Sequence, residues 1–434
     1  MISWASLHKN RHRLLRWGTI FGGFAAVQLV VQTLNAVAGF LLVRTLEKPD
    51  YAWFTIANGM SAALSILSDS GIGSAVISIG GGIWRDKASM TGLVRAALSM
   101  RRKLAALSSL VVAAISMWLL MRNGAALLPA VQLTILVLIP IWCVSTTAVL
   151  NVVNRLHSRT IQLQLGDLVP ALMRLALTAS LMWAGGLTSA TALLAVLVAQ
   201  AGQFLIVRRQ VLPLLGVETE GTGIQEYKRR IRKMVHQMMP NCVFLCIQGQ
   251  LATWLISVFA TSSEVADLGA LNRLGIIFSV LGGPVGQFVA PAFARATDRK
   301  KLWAVALTLI AGCVLLGVVL LAFAWFKAGW FLWLLGSKYS HLREELVLVL
   351  AGMTISITSS LVWALNIARG WVRLSWLNIP LTLAAQAAAA CACQLNSVKG
   401  LAWFVIASAA VQCIHSLATC FVGLSGRRRV GVLA

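Results

Sequence analysis

The sequence predicts an all-α polytopic membrane protein: about twelve transmembrane helices in two six-helix lobes, with the N- and C-termini cytoplasmic. Three observations predict it. Over 434 residues, 59% are hydrophobic and only 12% charged, roughly half the charged share of a soluble domain. Apolar stretches of about 18 residues or more recur from end to end. Lysine and arginine collect in alternate connections between those stretches.

The predicted spans are 17–43, 51–83, 90–121, 126–150, 162–184, 187–207, 233–260, 264–294, 301–326, 344–368, 371–395 and 399–424. Each can cross a hydrocarbon core of about 30 Å. All must be helices, because backbone facing lipid has to satisfy its own hydrogen bonds. The first span follows Lys9, Arg11, His12, Arg13 and Arg16 and is too long for a signal peptide, so it is read as uncleaved.

Orientation follows from the basic residues. The N-terminus, 84–103, 155–159, 208–233, 295–301, 369–373 and the tail Arg427, Arg428 and Arg429 hold 28 of the 37 Lys and Arg. The opposite connections hold seven: Arg44, Lys48, Arg122, Lys327, Lys338, Arg343 and Lys399. The rich side is therefore cytoplasmic, and the chain is a multi-pass protein of the bacterial inner membrane. The net charge of +24 is spread over these short loops and forms no soluble nucleic-acid module, so no nucleic-acid partner is expected.

The polar stretch after span six divides the chain into an N-terminal lobe (1–207), a cytoplasmic linker (208–232) and a C-terminal lobe (233–434). Each lobe starts in the cytoplasm, so any repeat is parallel. The lead-in Lys48-Pro49-Asp50-Tyr51-Ala52-Trp53-Phe54 can be laid against Val265-Ala266-Asp267-Leu268-Gly269-Ala270-Leu271. The second helix of each lobe is also interrupted: Asp69-Ser70-Gly71-Ile72-Gly73 then Gly80-Gly81-Gly82 in span two, and Gly282-Gly283-Pro284-Val285-Gly286 then Pro291 in span eight. Matched breaks mark a transporter's working centre, while the same glycines also suit close helix packing.

Arg174 and Arg273 fall within spans, where arginine costs about 2.5–3.5 kcal/mol on the insertion scale and is kept facing protein or water. Asp69 and Asp167 are the acids read as intramembrane. Asp167 and Arg174 share one face of span five, either bracketing a site or relieving each other's burial. Gln28, Gln32 and Asn35 form a stripe on span one; Gln237, Asn241 and Gln248 form another on span seven; Asn272 adjoins Arg273. Such amides either glue helices together or line a hydrated cavity. A cationic, donor-rich cavity suits a phosphate or diphosphate, whose oxygens match the guanidinium fork.

All eight cysteines lie in apolar segments, and Cys391-Ala-Cys393 has no partner ligands, so buried structural thiols are expected. His8, His12, His157, His236, His341 and His415 show no metal spacing. No nucleotide-binding glycine loop occurs. No catalytic constellation, metal or cofactor is expected, and the reading is a transporter driven by an ion gradient or by product removal, not an enzyme.

Four features resemble the polysaccharide and oligosaccharidyl-lipid branch of the MOP superfamily, the Wzx-type O-unit flippases and exopolysaccharide translocases. One is the helix end Leu42-Val43-Arg44-Thr45-Leu46 followed by Pro49-Asp50-Tyr51, with Ala52 where the family usually has glycine. Another is the turn at Asp69-Ser70-Gly71-Ile72-Gly73. The third is Leu335-Gly336-Ser337-Lys338-Tyr339, and the fourth the six-plus-six architecture with short outer loops. The resemblance implies alternating access around a cationic cavity, with a polyprenyl-diphosphate-linked oligosaccharide as cargo. It implies membrane lipids as surroundings and, as pathway partners, a polymerase and a chain-length regulator. It makes Arg273 the first choice for contacting the diphosphate and Arg174 the second. Asn272, Asn35, Gln32 and Asn241 would line the cavity, and Asp69 and Asp167 are the candidates for ion coupling or gating. The alternatives are a multidrug or cation exporter of the same superfamily and a membrane polysaccharide polymerase or ligase.

Overall fold

The computed structural model describes residues 26–157, 159–216, 223–278, 289, 293, 298–369, 371 and 375–425. The elements are α1 (Ala26–Thr45), α2 (Lys48–Asp69), α3 (Ile72–Ile83), α4 (Lys87–Arg122), α5 (Leu127–Leu138), α6 (Ile141–Leu156) and α7 (Thr160–Trp183). They continue with α8 (Ser189–Val211), α9 (Ile224–Phe259), α10 (Ser262–Asn272), α11 (Arg299–Leu335), α12 (Arg343–Ala368), α13 (Asn378–Ala392) and α14 (Val398–Ser425). There is no strand among the described residues. Among the described residues, nine helical segments are long and apolar enough to cross a membrane, with α5 and α6 together making one, or ten if the bent pair α2–α3 is one span. The all-α polytopic membrane fold is therefore as the sequence predicts.

Departures from the predicted spans have local causes. Span two breaks after Asp69: Ser70 and Gly71 take φ values of 39° and 90°, a left-handed region that suits glycine, and the two halves meet at 41°. The predicted outer loop 327–343 is helical as far as Leu335. There α11 changes direction at Lys327 (φ −129°) and stops at Gly336 (φ 105°), so the apolar run Trp330–Leu335 completes a helix instead of lying in a loop. Much of the predicted linker is also helical, since α9 begins at Ile224, where Glu226 and Arg230 pair across one turn. Span eight starts as α10 and tightens into a 3-10 turn at Arg273–Gly275. Its glycine-proline break at 282–291 lies outside the described residues, as does the start of span one.

The described residues fall into two compact units: those within 1–38, 60–114 and 132–246, and those within 39–59, 115–131 and 247–434. In the first, α3, α4, α6, α8 and α9 bury a core of Ile72, Val76, Met90, Leu93, Val149, Val153, Val207 and Ile231. At one end of this unit Lys87 Nζ donates to Pro213 O (3.1 Å), the Gly216 amide donates to Thr91 Oγ1 (3.0 Å), and Arg159 donates to Gln210 O (3.3 Å). These are the connections after spans two, four and six, all on the predicted basic side.

In the second unit the connections after spans one, three, seven, nine and eleven gather. Lys48 Nζ donates to Ser263 Oγ (3.2 Å), Asn123 Nδ2 to Ser257 O (3.0 Å), Lys338 Nζ to Leu46 O (2.9 Å), and the Val398 amide to Glu264 Oε2 (3.1 Å). The cysteines are free; Cys246, Cys313 and Cys420 are buried, but Cys391 is exposed, which corrects the expectation that all are buried. Cys391 sits near the end of the short α13 (Asn378–Ala392), two residues beyond Ala389, the last residue of its buried face.

Candidate functional site

Arg273 is placed by a change of helix type. Thr261 precedes α10, and after its eleven residues the helix tightens at Arg273–Gly275; such mid-helix 3-10 turns recur at hinges and strained positions. The arginine Nε donates to Tyr51 Oη at 3.1 Å, and Tyr51 Oη donates in turn to Gly269 O at 3.2 Å. The guanidinium carbon stands 5.4 Å from the centre of the Phe54 ring, within cation–π range. A Cβ on Gly39 would come within 3.4 Å of Arg273 Cδ, so the bare glycine gives the arginine its path past α1. Tyr51 and Phe54 are fully buried, which fixes both contacts.

Six residues before Arg273 lies Asp267, only 3% exposed. Lys48 Nζ is 2.8 Å from its Oδ1, and His341 Nε2 is 3.1 Å from its Oδ2. Nearby, Arg44 donates to Leu334 O (3.1 Å) and stacks over Trp333 at 4.6 Å. Tyr339 is buried beside these groups, and burial, Tyr51 and Asp267 together push its phenol well above the usual tyrosine range. The lead-ins aligned in the sequence, 48–54 and 265–271, therefore pack directly on one another within this unit. Asp267 is the acid that the sequence reading missed. It lies inside predicted span eight, so Asp69 and Asp167 are not the only carboxylates carried into the helical layer.

The other predicted site residues fall in the first unit. Asp69 sits at the α2–α3 bend, where its Oδ1 accepts from the Gly73 amide (3.2 Å) and lies 3.0 Å from an Arg101 nitrogen. The carboxylate thus caps the restarted helix and balances a buried arginine. Arg101, 3% exposed, was assigned by sequence to the basic surface; helix geometry turns it inward while Arg102 and Lys103 stay exposed. Asp167 accepts from Gln28 Nε2 (3.3 Å) and Gln203 Nε2 (3.4 Å). Arg174 is half-buried two turns further along α7, and Gln32 and Asn35 are half-buried on α1. The side chain of Asn241 lies outside the described residues. The amide stripe of span one thus reaches Asp167 through Gln28, whereas Arg273 and Asn272 belong to the second unit.

Chemically, the two clusters differ. Arg101 is matched by a carboxylate, as is Lys48. Arg273 is held by a phenol and an aromatic face, so its described partners leave its positive charge uncancelled. Among the described residues, no three His, Cys, Asp or Glu side chains come together as metal ligands would.

No protein-family model matches the chain, and no curated protein matches it in sequence. Solved structures do match in fold. The lipid II flippase MurJ in an inward closed conformation aligns with a TM-score of 0.70 at 12% identity, over 93% of this chain and 89% of that one. An inward-facing multidrug resistance MATE family transporter of the MOP superfamily aligns with a TM-score of 0.63 at 15% identity, over 92% and 97%. A MOP superfamily transporter from Pyrococcus furiosus, described as having a binding pocket of reverse polarity, gives 0.55 at 15% identity, over 93% and 94%. At these identities the likeness establishes the fold: these structural neighbours are MOP superfamily transporters and flippases, not enzymes.

Proposed function

We propose that the chain is a flippase of the bacterial inner membrane, moving a polyprenyl-diphosphate-linked oligosaccharide from the cytoplasmic to the periplasmic leaflet for surface polysaccharide synthesis. The observation that carries this reading is Arg273: an intramembrane guanidinium at a helix break, engaged by neutral groups. Guanidinium in such a setting retains its attraction for an anion, and its fork matches the oxygens of a diphosphate. A carrier lipid keeps its tail in the bilayer while its head crosses, so one cationic contact inside the helical layer is what such cargo requires.

In this account the halves 1–207 and 233–434 alternate around the diphosphate, with 208–232 joining them. Arg174 is the second cationic contact, and Asn272, Asn35, Gln32 and Asn241 supply amide donors. Asp69 and Asp167 are held as gating or ion-coupling groups. A polymerase and a chain-length regulator would receive the delivered unit. The multidrug exporter is the rival within the same fold, and it differs in the cargo charge it needs. An organic cation calls for a carboxylate open to the cavity: Asp267 and Asp69 are matched by Lys48 and Arg101, and Asp167, held by the neutral amides of Gln28 and Gln203, is the carboxylate that reading would use.

The test is transport by Arg273 variants at matched expression. Arg273→Ala is expected to abolish flipping and Arg273→Lys to retain part of it, because lysine keeps the charge but loses the fork. Wild-type flipping by Arg273→Ala would remove this residue from the mechanism.

A further inference from the structure

The second unit contains a cavity of about 460 Å³, within the ~300–1,000 Å³ typical of small-molecule sites. It lies among α9, α10, α12 and α14. Among the described residues, five polar side chains line it, Gln248, Thr253, Asn272, Ser356 and Ser360, and none of the described lining is Lys, Arg, Asp or Glu. The rest of the wall is apolar, with Phe278 and Met353 the largest groups.

Two features make this more than a packing gap. Gln248 is fixed from behind: its Nε2 donates to Gln386 Oε1 at 3.2 Å, and Gln386 Nε2 donates back to Gln248 Oε1 at 2.6 Å. Gln386 is itself 7% exposed, so the pair holds the Gln248 amide in one orientation. Asn272, by contrast, is exposed and precedes Arg273 at the helix break, which sets an uncommitted amide next to the cationic residue. At Gly249 an added Cβ would meet nothing within 4 Å, so the wall is bare there and the space is open.

We propose that this cavity is a subsite for an uncharged sugar ring of the cargo, with Asn272 linking it to the diphosphate contact at Arg273. The proposal rests on the flippase reading and adds the part of the cargo that the cavity receives. A sugar ring offers neutral donors and acceptors around its edge and C–H groups on its faces. Amides and hydroxyls satisfy the first without the desolvation cost of a buried charge, and Phe278 and Met353 receive the second. An organic cation would find no carboxylate here.

The test compares two probes, polyprenyl diphosphate carrying a single neutral hexose and bare polyprenyl diphosphate, binding to the full-length protein in lipid nanodiscs. Gly249→Leu fills the cavity and is expected to weaken the hexose-bearing probe about tenfold, the equivalent of ~1.4 kcal/mol, while leaving the bare probe within about twofold. Ser356→Ala removes a lining hydroxyl without adding bulk and is expected to act on the same probe alone. Equal effects on the two probes in Ser356→Ala, or none on either in both variants, overturns the subsite. A wild-type protein that binds neither probe defeats the flippase reading itself, a different failure from the first.

Discussion

Replacing Tyr51 by phenylalanine removes one oxygen and leaves the buried ring in place. That oxygen accepts from Arg273 Nε at 3.1 Å and donates to Gly269 O at 3.2 Å, so two hydrogen bonds go at once. In water-soluble proteins a bond to a charged group is worth about 1.5–3 kcal/mol and a neutral one about 0.5–1.5. Within membrane proteins, interhelical bonds average ~0.6 kcal/mol with a maximum near 1.7. The membrane scale applies here, and the Phe54 face still holds the guanidinium at 5.4 Å. The expected loss is about 1–2 kcal/mol. The assay is reversible unfolding of the purified protein in mixed micelles, run as a cycle of Tyr51→Phe, Arg273→Met and the double variant. Tyr51→Phe removes the acceptor and Arg273→Met the donor, so the double variant should be more stable than the sum of single losses predicts, by about 0.6 kcal/mol or more. Strict additivity would mean that the phenol and the guanidinium do not hold one another, and the description of Arg273 would be wrong.

Two further perturbations probe the surrounding frame. Asp267→Asn takes the carboxylate from Lys48 and His341; because those partners are about 25% and 54% exposed and regain water, the loss should be about 1.5–3 kcal/mol, below the ~3–5 kcal/mol of a fully buried pair. Wild-type stability of Asp267→Asn in the same unfolding assay would show that the buried carboxylate is not holding the lead-ins together. Gly71→Ala forces a Cβ onto a residue at φ 90° and to within 2.9 Å of Met238 Sδ, so it should cost at least about 1–2 kcal/mol. Gly81→Ala, with nothing within 4 Å of its Cβ, is the control and should be neutral or slightly stabilising.

The all-α, many-span character was legible in the sequence because hydropathy acts span by span and needs no knowledge of neighbours. The α2–α3 bend was legible as well, since Ser70-Gly71 announces a left-handed turn locally. Residues that act across long separations were not. Nothing local ties Arg273 to Tyr51, 222 positions away, and only the alignment of 48–54 with 265–271 hinted that the two lead-ins were equivalent. Arg101 was misread because it opens the run Arg101-Arg102-Lys103, and which of three adjacent cations turns inward depends on a rotation of about 100° per residue. Asp267 was passed over because a carboxylate three residues inside a predicted span looks like part of its polar lead-in until burial is seen. The hydropathy of Trp330–Leu335 reads as an interfacial segment, and the backbone carries it as a helical stretch beyond the kink at Lys327.

The most direct measurement is the leaflet distribution of polyprenyl-linked sugars in cells lacking this protein. The account predicts single oligosaccharide units accumulating on the cytoplasmic leaflet, restored to the periplasmic leaflet by the wild-type chain and not by Arg273→Ala. Units accumulating on the periplasmic leaflet would contradict it and point to a polymerase or ligase; no accumulation on either side would also contradict it, in favour of an exporter of other cargo.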